Sequence, residues 1–321
     1  MTGRVVDIGG VAVLLEAGDE ARAEAMTMLL GALPTLAEPP RVAIRYLVRP
    51  PALPRRTPDQ AVMRYAVWQR NGTLHLADRS GARARVTDLS AWIGGGADRP
   101  ANAFRALFPA VACHLLAFQD RFVLHAAAIL GEDGAYLVCG GSGGGKSTLA
   151  LAALDSGWPV LSDDLVVLRR QGAALHVSGI HRPVAVPADV KPVGAGPRMR
   201  ADARGRSWFS PTCLRRGWAP VAGVVAVGHA SSPDGTLLTL DGHRAVQIAL
   251  GSFASTTNPL LLRRFFPLAA MLGRLPAWEL QHGSDAATRL GAAARLLDGV
   301  EPQRPAPRRA RRRATTALGP R

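Results

Sequence analysis

Along the first hundred residues the apolar positions recur every second residue in short runs, and that period predicts strands. RVVDIG (4–9) and VAVLLEA (11–17) read as a strand pair, and RVAIRYLV (41–48) as a further strand. MRYAVWQ (63–69) and TLHLAD (73–78) flank Asn71 and Gly72, residue types that tolerate the positive φ of a two-residue hairpin turn. One stretch departs from the alternation. DEARAEAMTMLLGALP (19–34) has helical spacing, and Asp19 stands where an N-cap belongs. PPALPRRTPDQ (50–60) is a Pro-rich connection, and WIGGGADRP (92–100) a plausible boundary.

Beyond it the pattern alternates between strand and helix. PANAFRALFPAVACHLLAFQDR (100–121) is a long apolar helix in which Pro109 is expected to cause a kink or a break. FVLHAAAIL (122–130) and GAYLVCGG (134–141) are strands joined by the turn GEDG. STLALAALDSG (147–157) is helical and closes on a glycine. PVLSDDLVVLRR (159–170) is a strand interrupted by two acids, followed by a hairpin through Gln171 and Gly172 into ALHVSG (174–179). Residues 181–218 read as a long irregular connection over the surface, of the kind that often contacts substrate. Strands at 221–228, 236–240 and 277–281, and helices at 244–254, 259–275 and 285–299, complete the pattern. The expected fold class is α/β, with a small α+β module over 1–98, a larger α/β domain over 99–300 and a disordered Arg-rich tail over 301–321.

The candidate chemistry begins at GGSGGGKST, residues 140–148. Gly140, Gly145, Lys146 and Ser147 occupy the fixed positions of G-x-x-x-x-G-K-[ST], and the loop follows a strand and opens a helix as a Walker A loop must. Glycines let backbone N–H groups approach phosphate oxygens, and the helix N-terminus adds favourable dipole. Gly140, Gly141, Ser142, Gly143, Gly144, Gly145, Lys146, Ser147 and Thr148 are therefore the expected ATP-binding residues. Lys146 would meet the β- and γ-phosphates, and Ser147 would ligate Mg²⁺. A flexible Gly-rich linker is the alternative. Against it, only two of the 39 basic Lys and Arg residues are lysines, Lys146 and Lys191, and one of them fills the motif position.

A phosphate loop does not choose the reaction, so the acids matter. Asp163 and Asp164 stand at the end of an apolar strand just after the loop's helix. One acid could hold Mg²⁺ while the other takes a proton from an attacking hydroxyl. Two acids in an ordinary turn would be the alternative.

Residues 125–168 resemble the kinase domain of the HPr kinase/phosphorylase family: a strand with His125, then G-x-S-G-x-G-K-S, a helix ending at Gly157, and a strand ending in Asp-Asp. The chain is more similar still to the shorter HPr-kinase-like proteins of ribosomal (lasso-type) peptide biosynthesis. They share the strand Leu124-His125-Ala126-Ala127, the loop GGSGGGKSTL and the strand Leu161-Ser162-Asp163-Asp164. The resemblance implies a P-loop kinase core of HPr kinase type over 99–300 and an ATP- and Mg²⁺-dependent serine kinase acting on a peptide or small protein, with Asp163 as general base and Lys146 as a catalytic cation. Asp164 and Ser147 would then be the metal ligands, with His125 beside the phosphate site as a catalytic group or as a satisfied strand histidine. No E-I-R-G-L-G-like segment follows the acids, so HPr as the acceptor is not implied. A transporter-type ATP hydrolase would need an L-S-G-G-Q-like signature, which is absent; a nucleotide-dependent binding module remains the other alternative. Arg182, Arg198 and Arg200 are candidates for stabilising the transferring phosphoryl group.

Charge and cysteine content alter the picture little. The formal charge is +15, and the tail from Pro302 to Arg321 holds seven arginines and no acid, so about half the excess lies there. That segment suits a solvated arm for an acidic peptide better than a nucleic-acid reader, since it lacks aromatic residues. Cys113, Cys139 and Cys213 show no C-x-x-C spacing, and no apolar run reaches membrane-spanning length. The expectation is a cytoplasmic protein without a membrane partner, able to form a homo-oligomer.

Overall fold

The computed structural model describes residues 2–62, 65–70, 72–96, 99–141, 143–187, 198–201, 206–209, 211–229, 236–253 and 259–282. The helix expected at 285–299 and the Arg-rich tail lie outside them, as do Ser142 and Asn71.

The alternating N-terminal runs become strands β1 (Thr2–Asp7), β2 (Ala12–Ala17) and β3 (Val42–Leu47), with helix α1 (Glu20–Leu30) crossing between the last two. Strands β2 and β3 pair in parallel, as a helical crossover requires. The Asp19 carboxylate accepts from the Arg22 backbone N–H at 2.9 Å, so the expected cap is in place. Strands β4 (Gln60–Val62), β5 (Tyr65–Arg70), β6 (Thr73–Asp78), β7 (Arg83–Val86) and β8 (Ser90–Gly94) complete an eight-stranded sheet in the order β1-β2-β3-β8-β7-β6-β5-β4. Arg70 pairs with Thr73, and Gly72 has the positive φ of 74° that a two-residue hairpin turn needs.

Two of these strands carry no clear apolar signal in the sequence. In β7 the arginines hide the alternation, although Ala84 and Val86 are fully buried. Strand β8 includes the first residues of the segment expected to be a boundary, yet it sits in mid-sheet between β3 and β7.

Helix α2 (Pro100–Ala117) runs unbroken through Pro109, so the expected break is absent. Twelve of its eighteen residues are buried, which lets packing on both sides outweigh the backbone hydrogen bond that Pro109 removes. It packs against β6, β7 and β8 on one side and against β9 (Phe122–Leu130) on the other. One apolar core therefore runs from Val6 through Phe104, Leu107 and Phe108 to Leu272.

The second sheet uses β9, β10 (Ala135–Cys139), β11 (Val160–Ser162), β12 (Leu165–Gln171) and β13 (Ala174–Gly179). Helix α3 (Lys146–Asp155) follows β10. Strands β14 (Val184–Pro187), β15 (Arg198–Ala201) and β16 (Arg206–Phe209) form a separate small sheet in the order β14-β16-β15. Strand β17 (Ala219–His229) returns to the second sheet and is joined by β18 (Thr236–Thr239) and β19 (Ala277–His282). The order is β10-β9-β12-β13-β17-β19-β18, with β11 on β9 and a parallel pairing between β10 and β17. Helices α4 (Gly242–Ser252) and α5 (Pro259–Leu272) pack near α2 on one face of this sheet. On the other face α3, with Val184, Phe209 and Leu214, covers a second apolar cluster. The stretch 181–218, expected to be irregular and superficial, is therefore partly sheet, and His181, Arg182, Val184, Trp208 and Phe209 are all buried.

Candidate active site

Strand β9 assembles the site. Buried on both faces, it is a nearly continuous apolar run, as in a strand covered by helices or sheet on both sides. Along one edge Ala126 pairs with Cys139 at the end of β10, so the phosphate loop departs beside His125. Along the other edge Ser162 pairs with Ala128 and Leu165 with His125. Asp163 and Asp164, between those partners, stand across from Ala126 and Ala127. Lys146, just after β10, and Asp163, just after β11, stand 17 positions apart in sequence with only β9 between their strands.

The loop geometry explains its glycines at two places. A Cβ on Gly140 would come within 2.6 Å of the Val227 carbonyl oxygen on β17, so the loop starts by pressing backbone on backbone. Gly145 is the N-cap of α3 with φ 99°, a left-handed conformation that suits glycine, and no side chain caps the helix. The first N–H groups of α3 are thus left for an anion. Lys146 is only 6 % exposed, and its ammonium donates to the carbonyls of Gly140 at 2.8 Å and Gly141 at 3.0 Å. Burial lowers its pKa, against the pull of Asp164, Cys139 and Asp163.

The two acids have opposite environments. Asp163 is 5 % exposed; burial and the neighbouring Asp164 charge push its pKa up, while a hydrogen bond from the Ser147 side chain and the Arg182 charge pull it down. Asp164 is more open, with 38 % of its side chain exposed. Its Oδ1 lies 3.1 Å from His125 Nε2 and its Oδ2 accepts from Arg182 Nη1 at 2.9 Å. Those two partners, with Lys146, outweigh burial and hold its pKa below the usual carboxylate range. One acid is thus poised to take a proton and its neighbour to stay charged.

Among the expected site residues the structure brings together Lys146, Ser147, Asp163, Asp164 and His125. Of the three candidate arginines, Arg182 reaches Asp164; Arg198 and Arg200 are placed only by their backbone, in β15. Ser162, not singled out by its sequence, shapes the acid turn: its hydroxyl accepts from the Asp164 N–H at 3.3 Å and the Leu165 N–H at 3.2 Å. A serine just before an acidic pair at a strand end is a turn signal that could have revealed it. A cleft of about 840 Å³ lies at the opposite end of α3, lined by Trp158, Arg215 and Trp218, and contains none of these residues.

The donor set suits Mg²⁺ and ATP. Mg²⁺ is usually held by one or two carboxylates together with substrate phosphates rather than by a full protein cage. Asp164, charged and half-exposed beside the loop, and the Ser147 hydroxyl match that pattern, and among the described residues no larger His, Cys, Asp or Glu cluster exists. No protein-family model matches the chain and no curated protein is similar to it. Among solved structures it is similar to the Hpr(Ser) kinase/phosphatase from Coxiella burnetii, at 15 % identity and a TM-score of 0.29 over 56 % of this chain and 94 % of that one. A score that low carries no weight for fold or function. Among the described residues no helix is long and apolar enough to cross a membrane.

Proposed function

We propose that this protein is an ATP-dependent serine kinase that transfers the γ-phosphoryl group to a hydroxyl of a peptide or small protein, with a ribosomal peptide precursor as the acceptor class. One observation carries it: β9 gathers a phosphate loop with a buried lysine on one edge and two unlike acids on the other. ATP with Mg²⁺ supplies the phosphoryl group. Lys146 and the N-terminus of α3 would bind its phosphates, and Ser147 and Asp164 would hold the metal. Asp163 takes the proton leaving the serine hydroxyl, a role that a carboxylate with a raised pKa performs near neutral pH. The Ser147 side chain, hydrogen-bonded to Asp163, would leave that carboxylate when it ligates the metal and so free Asp163 for the proton.

The test is calorimetric titration with ATP, with and without Mg²⁺, followed by transfer of labelled γ-phosphate to serine peptides encoded beside the gene. The expected result is Mg²⁺-dependent ATP binding and a labelled serine. Absence of ATP binding would overturn the phosphate-loop assignment. Binding with no labelled acceptor among those peptides would leave a nucleotide-dependent binding module as the better description.

A further inference from the structure

The buried cation beside the acids is the feature that the proposed reaction does not use. Arg182 is 8 % exposed, and its flanking residues are fixed as well. His181 Nε2 lies 3.0 Å from the Arg215 carbonyl oxygen, and Val184 is fully buried beneath α3 at the start of β14. The guanidinium carbon sits 5.9 Å from the centre of the Phe108 ring on α2. Nη1 donates to Asp164, whereas Nε is buried with no hydrogen-bond partner among the described residues. A guanidinium in this position is expensive to bury and is held in one geometry.

Asp164 has little else to hold it. It lies in a two-residue break between β11 and β12, and its side chain is over a third exposed. Its two oxygens are engaged from different residues, Oδ1 by His125 and Oδ2 by Arg182, so turning the carboxylate breaks at least one bond. A carboxylate has about four lone-pair sites, which leaves room for a metal after two donors are satisfied.

We infer that Arg182 is a positioning residue for the metal ligand: anchored between α2 and the start of the small sheet, it fixes the Asp164 carboxylate toward the phosphate loop. This rests on the proposed ATP- and Mg²⁺-binding site. Groups that orient a metal ligand typically change metal affinity about tenfold to a hundredfold when removed. Arg182→Gln keeps a polar but shorter side chain and removes the charge and the planar donor pair that reaches Asp164.

The measurement is the Mg²⁺ concentration giving half-maximal ATP binding, alongside ATP affinity in chelator without metal and the melting temperature. Arg182→Gln is expected to raise the Mg²⁺ midpoint by about tenfold or more, with metal-free ATP affinity within about twofold of the parent. Arg182→Lys should recover part of that shift. If Arg182→Gln does not fold, His125→Asn removes the other anchor of the same carboxylate and should move the midpoint in the same direction. A parent that binds Mg-ATP beside an Arg182→Gln variant with an unchanged midpoint overturns the positioning role and leaves the kinase site standing. Equal weakening of metal-free and Mg²⁺-dependent binding also overturns it, as would be seen for a phosphate contact. A parent that does not bind ATP removes both.

Discussion

Two buried arginines, one in each large sheet's territory, show what separates scaffold from site. Arg22, 4 % exposed, belongs to the N-terminal sheet. Its partners are the Asp19 carboxylate at 2.5 Å, the Leu47 carbonyl at 2.8 Å and the face of Tyr46 at 5.3 Å. Arg182 has the same kinds of partner, a carboxylate and an aromatic ring. The difference lies in the carboxylate: Asp19 caps α1 and is consumed by the fold, whereas Asp164 stands half-open beside the Gly-rich loop and a second acid. Burial of a charge thus says little about function by itself; the tasks left to its partner decide.

The largest effect that would break this contrast is at Asp163. Asp163→Asn should lower transfer to a serine hydroxyl by about a hundredfold to ten-thousandfold while Mg-ATP still binds. A parent transfer rate in labelled-phosphate assays would show that the base is elsewhere. The same variant has a stability signature. A folded pKa raised above the unfolded value gives stability that is present below the unfolded pKa and lost as pH rises through the folded one. Asp163→Asn removes that loss, so melting scans at pH 8 should find the variant at least as stable as the parent.

Next in size is Lys146→Ala, which removes the buried cation of the loop and should weaken ATP binding about a hundredfold in calorimetry. Unchanged affinity would reduce the loop to a linker.

Between the two sheets, His114 on α2 predicts an effect on stability alone. It is fully buried, neither ring nitrogen has a hydrogen-bond partner among the described residues, and burial lowers its pKa to about 4. Between the unfolded value of about 6.5 and the folded value of about 4, the unfolded chain binds a proton that the folded one refuses. Its contribution is therefore intact above about pH 6.5 and declines by roughly 3 kcal/mol as the pH falls to about 4. Denaturant titrations of the parent and His114→Leu across that range should show the parent losing more stability; parallel losses would put the acid sensitivity elsewhere.

The smallest effect sharpens the contrast from the scaffold side. Asp19→Ala removes a cap and the partner of Arg22, and should cost about 1 kcal/mol in denaturant titration with ATP affinity unchanged. A matching loss of ATP affinity would mean that the N-terminal sheet and the site are coupled.

Much of this architecture is legible in the sequence where local rules are strong. The strand–loop–helix order around residues 140–146, the Asp19 cap, the positive φ at Gly72 and the apolar run of β9 each follow from residue type and spacing over a few positions. What escaped notice was decided by distant partners. Strand β7 looked polar because arginines occupy its outer positions, and β8 looked like a linker because of the glycines that end it. Pro109 suggested a broken helix, but burial on both sides of α2 keeps it whole. The region 181–218 looked irregular from its Pro, Arg and Gly content, yet Val184, Trp208 and Phe209 are buried there.

By itself the sequence singled out the residues proposed for the chemistry, because the G-x-x-x-x-G-K-[ST] pattern places glycines, a lysine and a serine within a few consecutive positions, and that spacing is local. Only the tertiary structure decided how the two acids differ. Asp163 and Asp164 are the same residue type, one position apart, and nothing local distinguishes their proton affinities. The path of β11 into β12 buries one beside Ser147 and turns the other toward His125 from β9 and Arg182 from the far end of β13. Desolvation and fixed charge depend on what surrounds a carboxyl group in space, and that surrounding is supplied by residues up to 39 positions away along the chain, as His125 is from Asp164.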